Sequence, residues 1–404
     1  MVLGGLLLSR MIVMAVAPVF EPSEARYAAI SANMARTGDW FVPCFTYKGV
    51  YQTFAGKPPF VFQSAAACSK IMGVNEFAVR VPSFVAFIVL LLIVYRTVRI
   101  GASRLNAALA TGICATSVAL YSTAGFCMMD SALTCCTAGA LLLYWRVNDV
   151  AKTAARYAVL LGIAVLLGIG MWVKGPVALA LFGLPVAVDA GLNRRWNCRL
   201  FMDGAFVACA FLAIAVPYFW IVELHQPGFL KYFLINENIM RFLVQEYGDR
   251  YGAGRETFRG MSLIWTWVVM LPWSFLLLFF RRRTAKWRWG VIKDFFPLLS
   301  AVVISLFWCL TSRVPIAYLL PVVPLLSVAL AVKGGEFGIG CDSLRKLFPW
   351  AAAVAIAVLI GTLASVRIGK PKKMPGDSAE PKVRGNYYSY EFYNHPWGEG
   401  APGR

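Results

Sequence analysis

The chain has 404 residues, of which 59% are hydrophobic and 15% charged, with a formal net charge of +19 and a mean hydropathy of +0.65. A soluble domain carries about 25% charged residues, and here the apolar residues come in blocks of membrane-spanning length. The composition therefore describes a polytopic membrane protein. Its basic residues lie in short segments between apolar runs, with no interleaving of cations and aromatics outside those runs, and this excludes nucleic acid as a partner.

Taken in order, the apolar runs are 2–20, 80–98, 105–122, 131–146, 156–173, 176–192, 202–222, 261–280, 294–311, 315–332 and 346–366. The expectation is an all-α bundle of about eleven transmembrane helices occupying residues 1–366, followed by a polar, poorly ordered tail over 367–404. The first run, MVLGGLLLSRMIVMAVAPVF, has no clear small-x-small cleavage site and reads as an uncleaved span. The short loops RTVRIGASR, RVNDVAKTAAR, NRRWNCR, RRRTAKWRWGVIK and KGGEFGIGCDSLRK fall on one side, which the positive-inside rule makes cytoplasmic. The opposite side receives 21–79, 123–130, 173–176, 223–260 and 311–315. The KPKK that opens the tail argues against an outward tail, so the count of spans has a margin of one.

Two short amphipathic helices at the interface are expected in the first outer loop, EARYAAISANMAR and QSAAACSKIMG, joined through YKGVYQTFAGKPPF. The ionisable residues that look functional fall on the outer side. Glu21 and Glu24 flank the first interfacial helix, where they either complement its dipole or supply a partly desolvated general base. Lys57 precedes two prolines and either is a plain loop lysine or presents its charge to a lipid phosphate. Asp130 and Lys174 stand at outer helix ends, positions where an ionised group is costly. Glu237 and Arg241 are one turn apart, as in an ordinary i,i+4 pair. Arg313 is the last outer cation. The ten cysteines include no CxxC and no Cys/His cluster, and there are two histidines. No metal and no cofactor are expected. Carboxylates and phosphate-sized cationic sites without a nucleotide-binding glycine loop point to transfer from a phosphorylated lipid.

The stretches EARYAAISANMARTGDWFVP, GKPPF and GVNEFAVRVPS, followed in order by MMDSALT, VKGPVALAL, FLINENIMRF, MLPWSFLLL and SRVPIAYLLPVVP, resemble the GT-C glycosyltransferases. Among these the chain is most similar to the bacterial aminoarabinose transferases and the protein O-mannosyltransferase superfamily, over roughly residues 10–332. The resemblance implies a GT-C bundle in the bacterial inner membrane, with its site facing the periplasm. It also implies inverting transfer of a sugar from a polyprenyl-phosphate donor to an envelope acceptor. By it Glu24 matches the glutamate of the family's Asp-Glu pair and Asp130 a second acidic position. Lys57 and Lys174 match cations near the donor phosphate, with Arg241 and Arg313 as further cations and Arg26, Tyr27 and Glu237 as further site residues. The chain departs from the pattern at Ser23, where relatives carry Asp and Glu21 is the stand-in, at Gly56, where the aminoarabinose transferases carry Glu, and at Asn236-Glu237-Asn238. These last two departures remove metal-suited side chains and put aminoarabinose as donor in question. A transporter or non-catalytic binder of a lipid-linked sugar is the alternative, although no internal repeat is visible.

Overall fold

The computed structural model describes residues 2–20, 22–47, 50–240, 257–275, 295–312, 314–334, 341–366 and 392. The tail expected over 367–404 lies outside these residues except for Phe392. Helix α1 (Val2–Val16) leads into the outer loop, which folds as α2 (Ser23–Thr37), a two-stranded antiparallel hairpin of β1 (Cys44–Tyr47) and β2 (Val50–Thr53), and α3 (Phe60–Met72). Then come α4 (Glu76–Gly101), α5 (Arg104–Thr116), α6 (Val118–Thr123), α7 (Asp130–Arg146), α8 (Thr153–Lys174), α9 (Val177–Leu192) and α10 (Cys198–His225). A helical turn at Phe229–Lys231 runs into a π-helical segment, Tyr232–Met240. The remaining helices are α11 (Met261–Val269), α12 (Phe296–Phe307), α13 (Val322–Lys333) and α14 (Cys341–Val366).

Each expected run overlaps at least one of these helices where it lies within the described residues, and the differences have local causes. The run 105–122 breaks at Ser117, whose extended backbone separates α5 from α6. The run 315–332 starts as a single 3-10 turn, because Pro315, Pro321 and Pro324 withhold the N–H groups a continuous helix needs. Among the described residues, four helices are long and apolar enough to cross a membrane, Glu76–Gly101, Thr153–Lys174, Cys198–His225 and Leu344–Gly361. The other helices in the bundle have fewer than 18 residues.

Capping sets several helix starts. The side chains of Asn75, Ser103 and Asn197 accept the N–H groups of Ala78, Asn106 and Leu200, which relieves the orphan donors of a first turn. The main core is built from α1, α4 to α7, α9 and α11 to α14. In contrast, α10 leaves most of its apolar surface open, as a lipid-facing helix does. A second core sits under the outer loop, where α2, the hairpin and α3 close over Met129, Leu133, Val173 and Ala178.

Two features of this loop add to the expectation. Helix α2 is enclosed by protein, with Glu24, Ala25 and every residue from Tyr27 to Ala35 buried. Its polar positions are small Ser, Asn and Ala-flanked residues that pack inside protein as readily as they face water. The connector expected between the two helices contains a hairpin, which pairs Cys44 with Thr53 and Tyr47 with Val50. Phe392 is buried in the same outer core, and its carbonyl accepts a hydrogen bond from Arg36 at 3.2 Å. This places that tail residue at the end of the bundle that carries the outer loop.

Candidate active site

Glu24 occupies the first turn of α2 and is 3% exposed. Its Oε1 accepts from Arg80 Nε at 2.7 Å and from the Cys127 N–H at 3.0 Å. Its Oε2 accepts from the Phe20 N–H at 2.9 Å and from Arg80 Nη2 at 3.1 Å. Arg80, on α4, also donates to the carbonyls of Met14, Ala17 and Pro18 where α1 ends. One ion pair thus ties the end of α1, the start of α2, α4 and the 124–129 turn together. Arg10 of α1 backs that turn, donating to the Ser122 carbonyl with its guanidinium 5.0 Å from the Phe126 ring. A carboxylate with four N–H donors on its two oxygens has no lone pair left facing a substrate. Its geometry is that of a strut.

The 124–129 turn delivers Asp130 to the N-terminus of α7. Asp130 is 6% exposed and accepts from Lys174 Nζ at 2.8 Å. The lysine ends α8, and its ammonium also lies 4.1 Å from the centre of the Tyr318 ring. The next residue, Gly175, turns the chain into α9 with a φ of +80°. A Cβ there would stand 2.5 Å from Phe233 Cζ. Only glycine meets both the left-handed backbone and this approach, so the Lys174 turn packs directly on the π-helical segment.

That segment carries Glu237, which is 7% exposed and accepts from Lys57 Nζ at 2.9 Å and from Tyr232 Oη at 3.4 Å. Lys57 Nζ also donates to the Gly56 carbonyl. Ala55, Trp172, Phe233 and Leu234 share one hydrophobic cluster, so the loops holding Lys57, Lys174 and Glu237 are packed on one another. Tyr27 sits in the second core with Val173 and Ala178 and meets Phe62 edge-on at 5.3 Å. The Arg26 guanidinium lies 5.7 Å from the Tyr27 ring and 5.6 Å from that of Phe54.

Two lysine–carboxylate pairs therefore share one end of the bundle, Lys57–Glu237 and Lys174–Asp130. The sequence offered Glu237 a neighbour in Arg241, and among the described residues the fold brings it Lys57, 180 residues earlier. Glu21, Arg241 and Arg313 lie outside the described residues. Arg80, Tyr232 and Tyr318 were not singled out from the sequence. Arg80 left the clearest signal, as a cation at the first position of the apolar run 80–98. Among the described residues, no group of three or more His, Cys, Asp or Glu side chains is placed to hold a metal.

The family model for dolichyl-phosphate-mannose-protein mannosyltransferases matches residues 12–233, more than half the chain. The chain belongs to this family. The match runs from α1 into the π-helical segment, so it takes in Glu24, Lys57, Asp130 and Lys174 but stops short of Glu237. An undecaprenyl phosphate-alpha-4-amino-4-deoxy-L-arabinose arabinosyl transferase of Edwardsiella ictaluri is 28% identical over 316 residues, which cover 78% of this mannosyltransferase-family chain and 55% of the relative. The transferase of the same description from Aeromonas hydrophila is 26% identical over 351 residues, covering 85% and 62%. The chain thus spans between about half and two thirds of the length of the curated relatives it matches. The crystal structure of ArnT from Cupriavidus metallidurans bound to undecaprenyl phosphate superposes with a TM-score of 0.70 at 21% identity, covering 91% of this chain and 71% of that one. The apo oligosaccharyltransferase of Archaeoglobus fulgidus gives 0.54 at 14% identity, covering 90% and 55%. The GT-C expectation from the motifs is thereby met at the level of family and fold.

Proposed function

We propose that this chain is a membrane glycosyltransferase that takes a sugar from a polyprenyl-phosphate carrier and passes it to a hydroxyl of an envelope acceptor. The observation that carries the reading is the pair of lysine–carboxylate contacts packed together at the outer-loop end. Each part-buried lysine is held in place by its carboxylate, 2.9 Å from Glu237 for Lys57 and 2.8 Å from Asp130 for Lys174, ready to meet phosphate oxygens. The relatives support the carrier: two of them are undecaprenyl-phosphate aminoarabinose transferases, and the solved ArnT holds undecaprenyl phosphate.

In this reading the acceptor oxygen attacks the anomeric carbon from the face opposite the phosphate, and the carbon–oxygen bond to the phosphate breaks. A single displacement inverts the anomeric centre. Lys57 and Lys174 take up the charge that develops on the departing phosphate, with Arg241 and Arg313 as further cations of the same end. Asp130 accepts the acceptor's proton. Glu24, with all its lone pairs directed at N–H donors, positions the turn that presents Asp130, and Glu21 remains the candidate in place of the family aspartate that Ser23 replaces. The membrane is the bacterial inner membrane, with the site toward the periplasm. The missing metal-type side chains at Gly56, Asn236 and Asn238 leave the sugar open among lipid-linked sugars, and the acceptor open among lipid, glycan and protein hydroxyls.

The locked Glu24 together with Ser23 favours one other reading, a protein that binds the lipid-linked sugar without transferring it. Purified protein in lipid, offered a panel of radiolabelled polyprenyl-phosphate sugars and crude envelope acceptors, separates the two. Transfer of one label that falls by about 10²-fold or more in Asp130→Asn supports the transferase. Donor binding with no transfer in the wild type overturns it.

A further inference from the structure

At the opposite end of the bundle lies a cavity of about 290 Å³, lined by Trp145, Arg146, Asn148, Asp149, Arg195 and Phe296. Helix α7 connects it to the candidate active site, with Asp130 as its first residue and Arg146 as its last. Over 17 residues that separation is about 24 Å. The two sites are distinct.

The chemistry of the lining is specific. Arg146 is fixed, with Nε donating to the Thr97 carbonyl, Nη1 to Asp149 Oδ2, and the guanidinium resting 3.4 Å from the centre of the Trp145 ring. Arg195 Nη1 donates to Asp189, and the side-chain carbonyl of Asn148 accepts from Arg156 Nη1. Among the described residues this leaves Arg146 Nη2, Arg195 Nε and Nη2, and the Asn148 amide without a protein acceptor. They form a set of donors suited to phosphate oxygens. The N-terminal end of α12, at Phe296, adds its positive dipole end to the same cavity. Beside these donors stands Asp149, its side chain 46% exposed with one oxygen paired to Arg146. A purely anionic ligand would meet repulsion there, whereas a ligand carrying a phosphate and an ammonium meets a partner for each.

The surroundings select a lipid over a soluble ion. The turn carrying Arg195 is flanked by exposed Leu192, Trp196, Phe201 and Met202, the apolar and aromatic band that sits where acyl chains meet headgroups. We propose that this cavity binds the phosphoethanolamine headgroup of a phospholipid in the leaflet opposite the candidate active site. Arg146, Arg195 and Asn148 hold the phosphate and Asp149 holds the ammonium. The proposal does not depend on the transferase reading, and its test does not use transfer.

The test is native mass spectrometry of the full chain in detergent, titrated in parallel with phosphatidylethanolamine and phosphatidylglycerol, with and without inorganic phosphate. The wild type is expected to retain phosphatidylethanolamine in preference to phosphatidylglycerol. Arg195→Ala weakens that retention about tenfold, the loss of one charge-assisted hydrogen bond. Asp149→Asn removes the preference between the two lipids, and Arg199→Ala, an exposed arginine outside the lining, leaves both unchanged. Equal retention in wild type and Arg195→Ala overturns the site. Displacement of the lipid by inorganic phosphate assigns the cavity to a soluble anion and overturns the lipid assignment. Stronger retention of phosphatidylglycerol by the wild type overturns the role given to Asp149.

Discussion

Replacing Glu24 by Gln tests whether this carboxylate is a strut or a reactive group. Both of its oxygens accept from two N–H donors, Oε1 from Arg80 Nε and Cys127, Oε2 from Phe20 and Arg80 Nη2. Whichever way a glutamine amide is turned, its NH2 faces two donors and its charge is gone. Arg80 is then left uncompensated at a position where its side chain is 1% exposed. Removing one partner of a buried ion pair costs about 3–5 kcal/mol, a hundredfold or more in the ratio of folded to unfolded protein. The expected outcome is a large drop in the melting midpoint in detergent, followed by the fluorescence of the 13 tryptophans. Glu24→Gln/Arg80→Met removes the orphaned cation and recovers part of the loss. Recovery stays incomplete because the carbonyls of Met14, Ala17 and Pro18 lose their donor. A Glu24→Gln protein as stable as wild type but inactive in sugar transfer would refute the reasoning and return Glu24 to the chemistry.

Asp130→Asn lowers transfer by about 10²-fold or more with donor binding retained, whereas Lys57→Ala weakens donor binding itself; binding of a labelled polyprenyl-phosphate sugar to each variant separates the two. Gly175→Ala forces a left-handed alanine against Phe233 and costs more than about 1 kcal/mol, read as a lower melting midpoint together with reduced transfer. Burial, and secondarily the charge of Glu24, pushes the Cys127 thiol above its usual range. Maleimide at pH 8 is therefore expected to label exposed Cys198 and spare Cys127, as mass mapping of the labelled peptides shows, and Cys127 becomes reactive in Glu24→Gln as the 124–129 turn loosens.

The helices were legible because apolar runs of span length are hard to disguise, and the outer-loop motifs carried the family. What pairs with what was not legible. Lys57 and Glu237 lie far apart in the chain, and nothing local to GKPPF or FLINENIMRF announces the other. Asp130 and Lys174 each stood out singly as ionisable groups at helix ends, and their contact follows from α7 packing against α8. The hairpin was hidden inside a segment read as a connector, although CFTY and VYQT alternate in the manner of short strands around Lys48-Gly49. Helix α2 was ambiguous in another way. Alanine-rich sequence with small polar residues suits a helix open to its surroundings and one covered by protein alike, so its burial was not legible.

The three ion pairs at the outer-loop end close over very different spans of chain, 44 residues for Lys174–Asp130, 56 for Arg80–Glu24 and 180 for Lys57–Glu237. During synthesis they therefore become available in order. The strut at Glu24 can lock once α4 has emerged, the Asp130 contact once α8 has, and Lys57 waits for the π-helical segment. A nascent chain arrested before Glu237 would hold a finished outer loop with one uncompensated lysine, so assembly of this end of the protein is complete only after the π-helical segment has left the ribosome.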